Sequence, residues 1–101
     1  MILIQLFLPL ADNEGMPFPR SLFSEIKNEC AKKFGGVTSF SQSPAEGIWN
    51  KSDGVQKDLI IIYEVMANEI DKEWWSHLKY ELEKRMKQDQ VLIRWFEINM
   101  L

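Results

Sequence analysis

The chain is predicted to fold as a single α+β domain over residues 1–101, in the order β-α-β-β-α-β. Three observations carry this. Apolar strand-like segments stand at both ends, Ile2 to Leu8 and Val91 to Asn99. In the middle, Leu59-Ile60-Ile61-Ile62-Tyr63 is a run of five large apolar or aromatic residues, as in a strand covered on both faces. Two segments with a four-residue apolar repeat separate these strands, and that period belongs to helices.

Taken in order, Ile2 to Leu8 is the first strand. Ile2, Ile4, Leu6 and Leu8 point one way and Leu3, Gln5 and Phe7 the other, so both faces are apolar apart from Gln5. Pro9 to Pro19 is a loop, with Asp12-Asn13-Glu14-Gly15 as its turn and Pro17 and Pro19 stiffening its exit. Arg20 to Phe34 is the first helix. Leu22 or Phe23, then Ile26, Cys30 and Phe34 form its apolar stripe, and Gly35-Gly36 ends it. Val37 to Ser41 is the second strand. Gln42 to Gly47 interrupts it, because Pro44 has no N–H to give a ladder, and it resumes at Ile48-Trp49. Asp53-Gly54 is a hairpin signal. Val55 to Met66 is the third strand. Asp71 caps the second helix, whose stripe is Trp74 or Trp75, then Leu78, Leu82 and Met86. His77–Glu81, Glu81–Arg85 and Glu83–Lys87 have the spacing of exposed ion pairs. Gln88-Asp89-Gln90 turns the chain into the fourth strand.

Two helices with one stripe each cover one face of a sheet. The order therefore predicts the ferredoxin-like, split βαβ plan: a four-stranded antiparallel sheet with two helices on one face. Right-handed crossovers place the first and third strands in its centre. The uncovered face of those strands is also apolar. A patch of that size is rare on a soluble monomer, and its simplest cover is a second copy of the same sheet, so a homodimer is expected.

Composition narrows function by exclusion. The net charge is −3 and the basic residues are scattered, with Glu81 and Glu83 beside the one small group at Lys84, Arg85 and Lys87. No positive footprint exists for phosphates, so nucleic acid is not an expected partner. One cysteine and one histidine leave no disulfide and no metal-ligand cluster to assemble. Neither a metal nor a cofactor is expected. Cys30 reads as a buried core thiol and His77 as a solvated side chain beside Glu81. The apolar start is too short to span a bilayer and has no basic residue ahead of it. It is read as a buried strand, and the protein as cytoplasmic with no membrane partner.

Polar groups inside apolar strands are the candidate site: Gln5 between Ile4 and Leu6, Glu64 between Tyr63 and Val65, Arg94 between Ile93 and Trp95. A buried charge is costly unless paired, so Glu64 and Arg94 are expected to pair across Gln5, most simply as a structural salt bridge at a strand end or dimer interface. The same groups, with Tyr63, are the candidate ligand-binding residues for a small molecule, because an arginine fork can hold an anion through two parallel hydrogen bonds.

The pattern Phe34-Gly35-Gly36-Val37-Thr38, Gly47-Ile48-Trp49, Tyr63-Glu64-Val65 and Gln90-Val91-Leu92-Ile93-Arg94 resembles that of small uncharacterised bacterial proteins of about this length. At the level of architecture the chain is similar to dimeric α+β barrel proteins, which include small monooxygenases, haem-degrading enzymes and lactone isomerases. None of their catalytic signatures can be placed on these residues. Two functional expectations follow. The first is a small homodimeric binding module with the open sheet face as its interface. The second is a cofactor-free enzyme of the dimeric barrel type, monooxygenase- or isomerase-like, with a pocket near Glu64 and Arg94.

Overall fold

The computed structural model describes the backbone of residues 1–35, 38–51 and 54–101 and the side chains of residues 1–35 and 60–101. Its elements are β1 (Ile2–Pro9), α1 (Arg20–Phe34), β2 (Thr38–Lys51), β3 (Gly54–Ala67), α2 (Lys72–Arg85) and β4 (Leu92–Glu97).

β1 is hydrogen-bonded on both edges. It pairs antiparallel with β3 from Ile2↔Ala67 to Pro9↔Ile60, and with β4 from Ile2↔Glu97 to Phe7↔Leu92. This three-stranded sheet, β3-β1-β4, is the body on which the helices pack. β2 extends the hydrogen-bonded order to β2-β3-β1-β4, but it meets the body through only four pairs, Thr38↔Glu64, Ser39↔Tyr63, Phe40↔Ile62 and Ala45↔Ile60, with a register shift between Phe40 and Ala45. The pairs from Glu46↔Leu59 to Lys51↔Gly54 run beside the part of β3 that β1 does not reach.

The four-stranded ferredoxin-like sheet is therefore corrected. The protein is α+β, with two helices on a three-stranded antiparallel sheet and a β2–β3 hairpin reaching beyond it. The reason is length and proline. β3 has 14 residues and β1 has 8, so six residues of β3 find only β2 beside them. Pro44 lies between the last pair before the shift and the first one after it, where a residue without an N–H is tolerated. The hairpin gives the molecule a long dimension of 46 Å against 27 and 21 Å. β2 is also longer than the expected Val37 to Ser41 strand, because it continues through the segment read as an interruption. Gly36, Val37 and the turn residue Asp53 lie outside the described residues.

The core sits between helices and sheet. Cross-strand partners share a face, so Ile2, Ile4, Leu6 and Leu8 stand with Tyr63 and Val65 toward the helices. All six are buried. Leu22, Ile26 and Cys30 of α1 meet them, as do Trp75, Leu78 and Leu82 of α2, with Met86 and Val91 closing the end. Gly35 ends α1 at φ 79°, and its N–H donates to the Ala31 carbonyl at 2.7 Å. Asp71 caps α2 by accepting from the Trp74 N–H at 3.1 Å. Phe34 joins the helices: Trp75 stacks on it at 5.3 Å between ring centroids and Trp74 meets it edge-on at 5.2 Å.

The long first loop closes on itself. The Asp12 carboxylate accepts from the N–H groups of Glu14 and Met16, Gly15 turns at φ 85°, and the Phe18 N–H reaches the Leu10 carbonyl. With its backbone groups satisfied locally, it is a surface excursion.

Leu82 is 1% exposed, so Leu82→Ala is expected to lower stability by about 2–5 kcal/mol through the cavity it leaves. Gly35→Ala is expected to cost about 1–2 kcal/mol from its left-handed backbone alone, since a Cβ there meets no neighbouring atom. Urea unfolding measures both.

A second prediction concerns pH. Burial, followed by the nearby Glu29 carboxylate, pushes the Cys30 thiol from its usual 9.0 to about 11. The unfolded chain therefore releases this proton first. Its contribution to stability is complete below the unfolded value of 9.0 and is lost as pH rises toward about 11. Burial, and then Cys30, also raise Tyr63 above its usual 10.0, which adds to the fall at higher pH. Urea midpoints should decline through this window, and less steeply in Cys30→Ala.

Candidate functional site

The residues of β1 that face away from the helices are Leu3, Gln5 and Phe7. Their register partners complete the open face. Leu3 lies between Met66 and Phe96, Gln5 between Glu64 and Arg94, and Phe7 between Ile62 and Leu92. Met66, Leu92 and Phe96 are 52%, 47% and 45% exposed, whereas Leu3, Phe7 and Ile62 are half-buried. The middle row is polar and continuous. The Gln5 amide nitrogen donates to Glu64 Oε2 at 2.6 Å, and Arg94 Nε donates to Gln5 Oε1 at 2.7 Å. The guanidinium also lies over the Phe7 ring, 4.9 Å from its centroid, a cation–π contact.

Three of the four residues singled out from the sequence thus come together, on three adjacent strands. The expected direct salt bridge does not form. Gln5 stands between the two charges and satisfies one side of each. Its carbonyl faces the cation and its NH₂ the anion, so the amide orientation follows from its neighbours. Tyr63 does not belong with them. It pairs opposite Leu6 on the helix-covered face, is 3% exposed, and its hydroxyl points to the Phe23 carbonyl at 3.4 Å. Strand parity separates it from Glu64, and parity was readable in the sequence.

Two well-formed concavities among the described residues are a groove and a cleft, and Gln5, Glu64 and Arg94 line neither of these. A groove of about 530 Å³ runs between the helices, floored by Ile26, Trp74 and Leu82 and edged by Lys32, His77 and Glu81. A cleft of about 330 Å³ sits where α2 meets β4, between Trp75, Trp95, Ile93 and Lys72. Cys30 is buried and His77 exposed, as expected.

One polar cluster was missed. Lys79 Nζ donates to Glu83 at 2.6 Å and to the Val91 carbonyl at 2.6 Å, and the Val91 N–H donates to the same Glu83 carboxylate at 2.9 Å. These bonds tie α2 to the start of β4. Lys79, followed by the Val91 N–H, holds the Glu83 carboxyl below its usual range. The i,i+4 spacing of Lys79 and Glu83 was the available signal. Glu83 thus pairs with Lys79 and not Lys87, and Arg85 reaches across to Glu25 on α1 at 2.8 Å instead of Glu81. Among the described residues no group of three or more His, Cys, Asp or Glu could hold a metal ion, and no helix is long and apolar enough to cross a membrane.

No protein family matches the chain, and neither a curated protein nor a solved structure is significantly similar to it.

Replacing Gln5 with Leu removes both hydrogen bonds of the row and leaves two charged groups without their shared partner. Arg94 is exposed and Glu64 half-buried, so water replaces part of what is lost. The expected cost is about 0.5–1.5 kcal/mol, read as a lower urea midpoint with unchanged far-UV circular dichroism.

Proposed function

We propose that this chain is a small homodimeric binding module, acting in the cytoplasm, whose subunits meet through the open face of the β3-β1-β4 sheet. The observation that carries this reading is the makeup of that face. Leu3, Phe7, Ile62, Met66, Leu92 and Phe96 surround a single polar row, and the helices lie on the other side of the sheet. Burying side chains of this kind stabilises an assembly by roughly 1.5–3 kcal/mol each when burial is complete. The polar row has its own hydrogen bonds, so closing the face over it does not strand Gln5.

The neighbouring edge is poorly suited to the same task. β4 has only six residues, with Arg94 in its middle, and short edge strands carrying charge resist edge-to-edge pairing. The face is therefore the better surface for a second copy.

The test is solution mass by size-exclusion chromatography with light scattering over a dilution series. The expected result is twice 11.9 kDa for the natural chain and a single mass for Leu3→Asp with its circular dichroism preserved. A natural chain that is monomeric throughout, or a Leu3→Asp variant that still dimerises, would overturn the proposal.

A further inference from the structure

Resting on that reading, we infer that the partner is a second copy whose two-fold axis runs along β1, so that each Arg94 meets the partner subunit's Glu64. The argument begins with charge. The polar row has a direction across the sheet: anion on β3, neutral amide on β1, cation on β4. Within one chain the opposite charges are kept apart by Gln5, and among the described residues neither Glu64 nor Arg94 has a counter-ion. Among the described residues, Arg94 donates through its Nε alone, to Gln5. An arginine has five N–H donors, so its two terminal nitrogens are left for another acceptor. Glu64 likewise spends one carboxylate oxygen on Gln5, and among the described residues the other has no partner.

Two sheets can meet face to face about an axis lying between them. If the axis crosses the strands, left and right edges keep their places, and Glu64 lies over Glu64 and Arg94 over Arg94. Like charges brought together while losing water oppose association by several kcal/mol. If the axis runs along β1, the edges exchange. Each cation then lies over an anion and Gln5 over Gln5. Facing sheets stand about 10 Å apart, a gap that one arginine and one glutamate span together.

The apolar rows fit the same axis. Register puts Phe7, Ile62 and Leu92 at one level and Leu3, Met66 and Phe96 at another. Exchanging the edges lays Leu92 over Ile62 and Phe96 over Met66, with Leu3 and Phe7 on the axis itself. The exposed side chains of β4 thereby meet β3, and no level sets a charge against an apolar group.

The experiment uses Leu3→Cys and Phe7→Cys with a thiol cross-linker spanning about 10 Å. Cys30 is fully buried, so the introduced thiol reacts alone. With the axis along β1, each variant cross-links to itself, and on denaturing gels a mixture gives no product that pairs the two positions. Cross-linking only in the mixture means that the axis crosses the strands and overturns the inference. A dimer with no product in any combination overturns it too. In both cases the open-face reading stands or falls separately, on the Leu3→Asp mass. A monomeric natural chain removes both. Reversed charges give a second readout: E64R and R94E should each weaken the dimer by about tenfold or more, and E64R/R94E should return it to within about threefold of the natural chain. Single reversals without effect would count against the inference.

Discussion

The body of the fold takes its position from β1. This strand is hydrogen-bonded along both edges, to β3 and to β4, and its eight residues divide cleanly between two faces. Ile2, Ile4, Leu6 and Leu8 are buried against both helices, whereas Leu3, Gln5 and Phe7 set the rows of the open side. A strand with this composition has no wholly polar face to offer water, so its place is the middle of a sheet and not an edge. A slip of one residue in register would exchange the two faces. It would also place Gln5 in a core whose buried members, among the described residues, are all hydrophobic.

The two faces treat polarity differently, and for one physical reason. Between helices and sheet a charge would lose its hydration, and the described side chains buried there are the apolar ones, with the neutral Cys30 thiol and the Tyr63 phenol among them. Burial holds both of these toward their protonated forms. The open face retains access to solvent and tolerates Glu64 and Arg94, but there they are organised by Gln5 into a row of set direction. That organisation makes the face more than an apolar patch. It gives the face an orientation, which the proposed second copy would have to match.

Outside the core, the chain is held by polar ties of unequal value. Lys33–Asp71 and Arg85–Glu25 link the helices through exposed side chains, and such pairs are worth about 0–1 kcal/mol. The Lys79–Glu83–Val91 cluster is different in kind. It satisfies a backbone N–H and a backbone carbonyl where β4 begins, and so helps to fix where that strand enters beside β1.

The helices and their caps were legible in the sequence because they depend on neighbours three and four residues away. The Leu22, Ile26, Cys30 stripe, the Trp75, Leu78, Leu82 stripe, the Asp71 cap and the Gly35 stop all sit where local spacing placed them. The central position of β1 was legible as well, since a strand apolar on both faces has nowhere else to go. By parity, the sequence also allowed Gln5, Glu64 and Arg94 to share a face. Only the tertiary structure decided that they stand at one level, that Gln5 comes between the charges, and that Tyr63 turns to the other side. It alone decided that β3 outruns β1, leaving three strands under the helices and a hairpin beyond them. These are outcomes of register and relative strand length. They depend on contacts between residues as far apart as Gln5 and Arg94, and no local period along the chain encodes them.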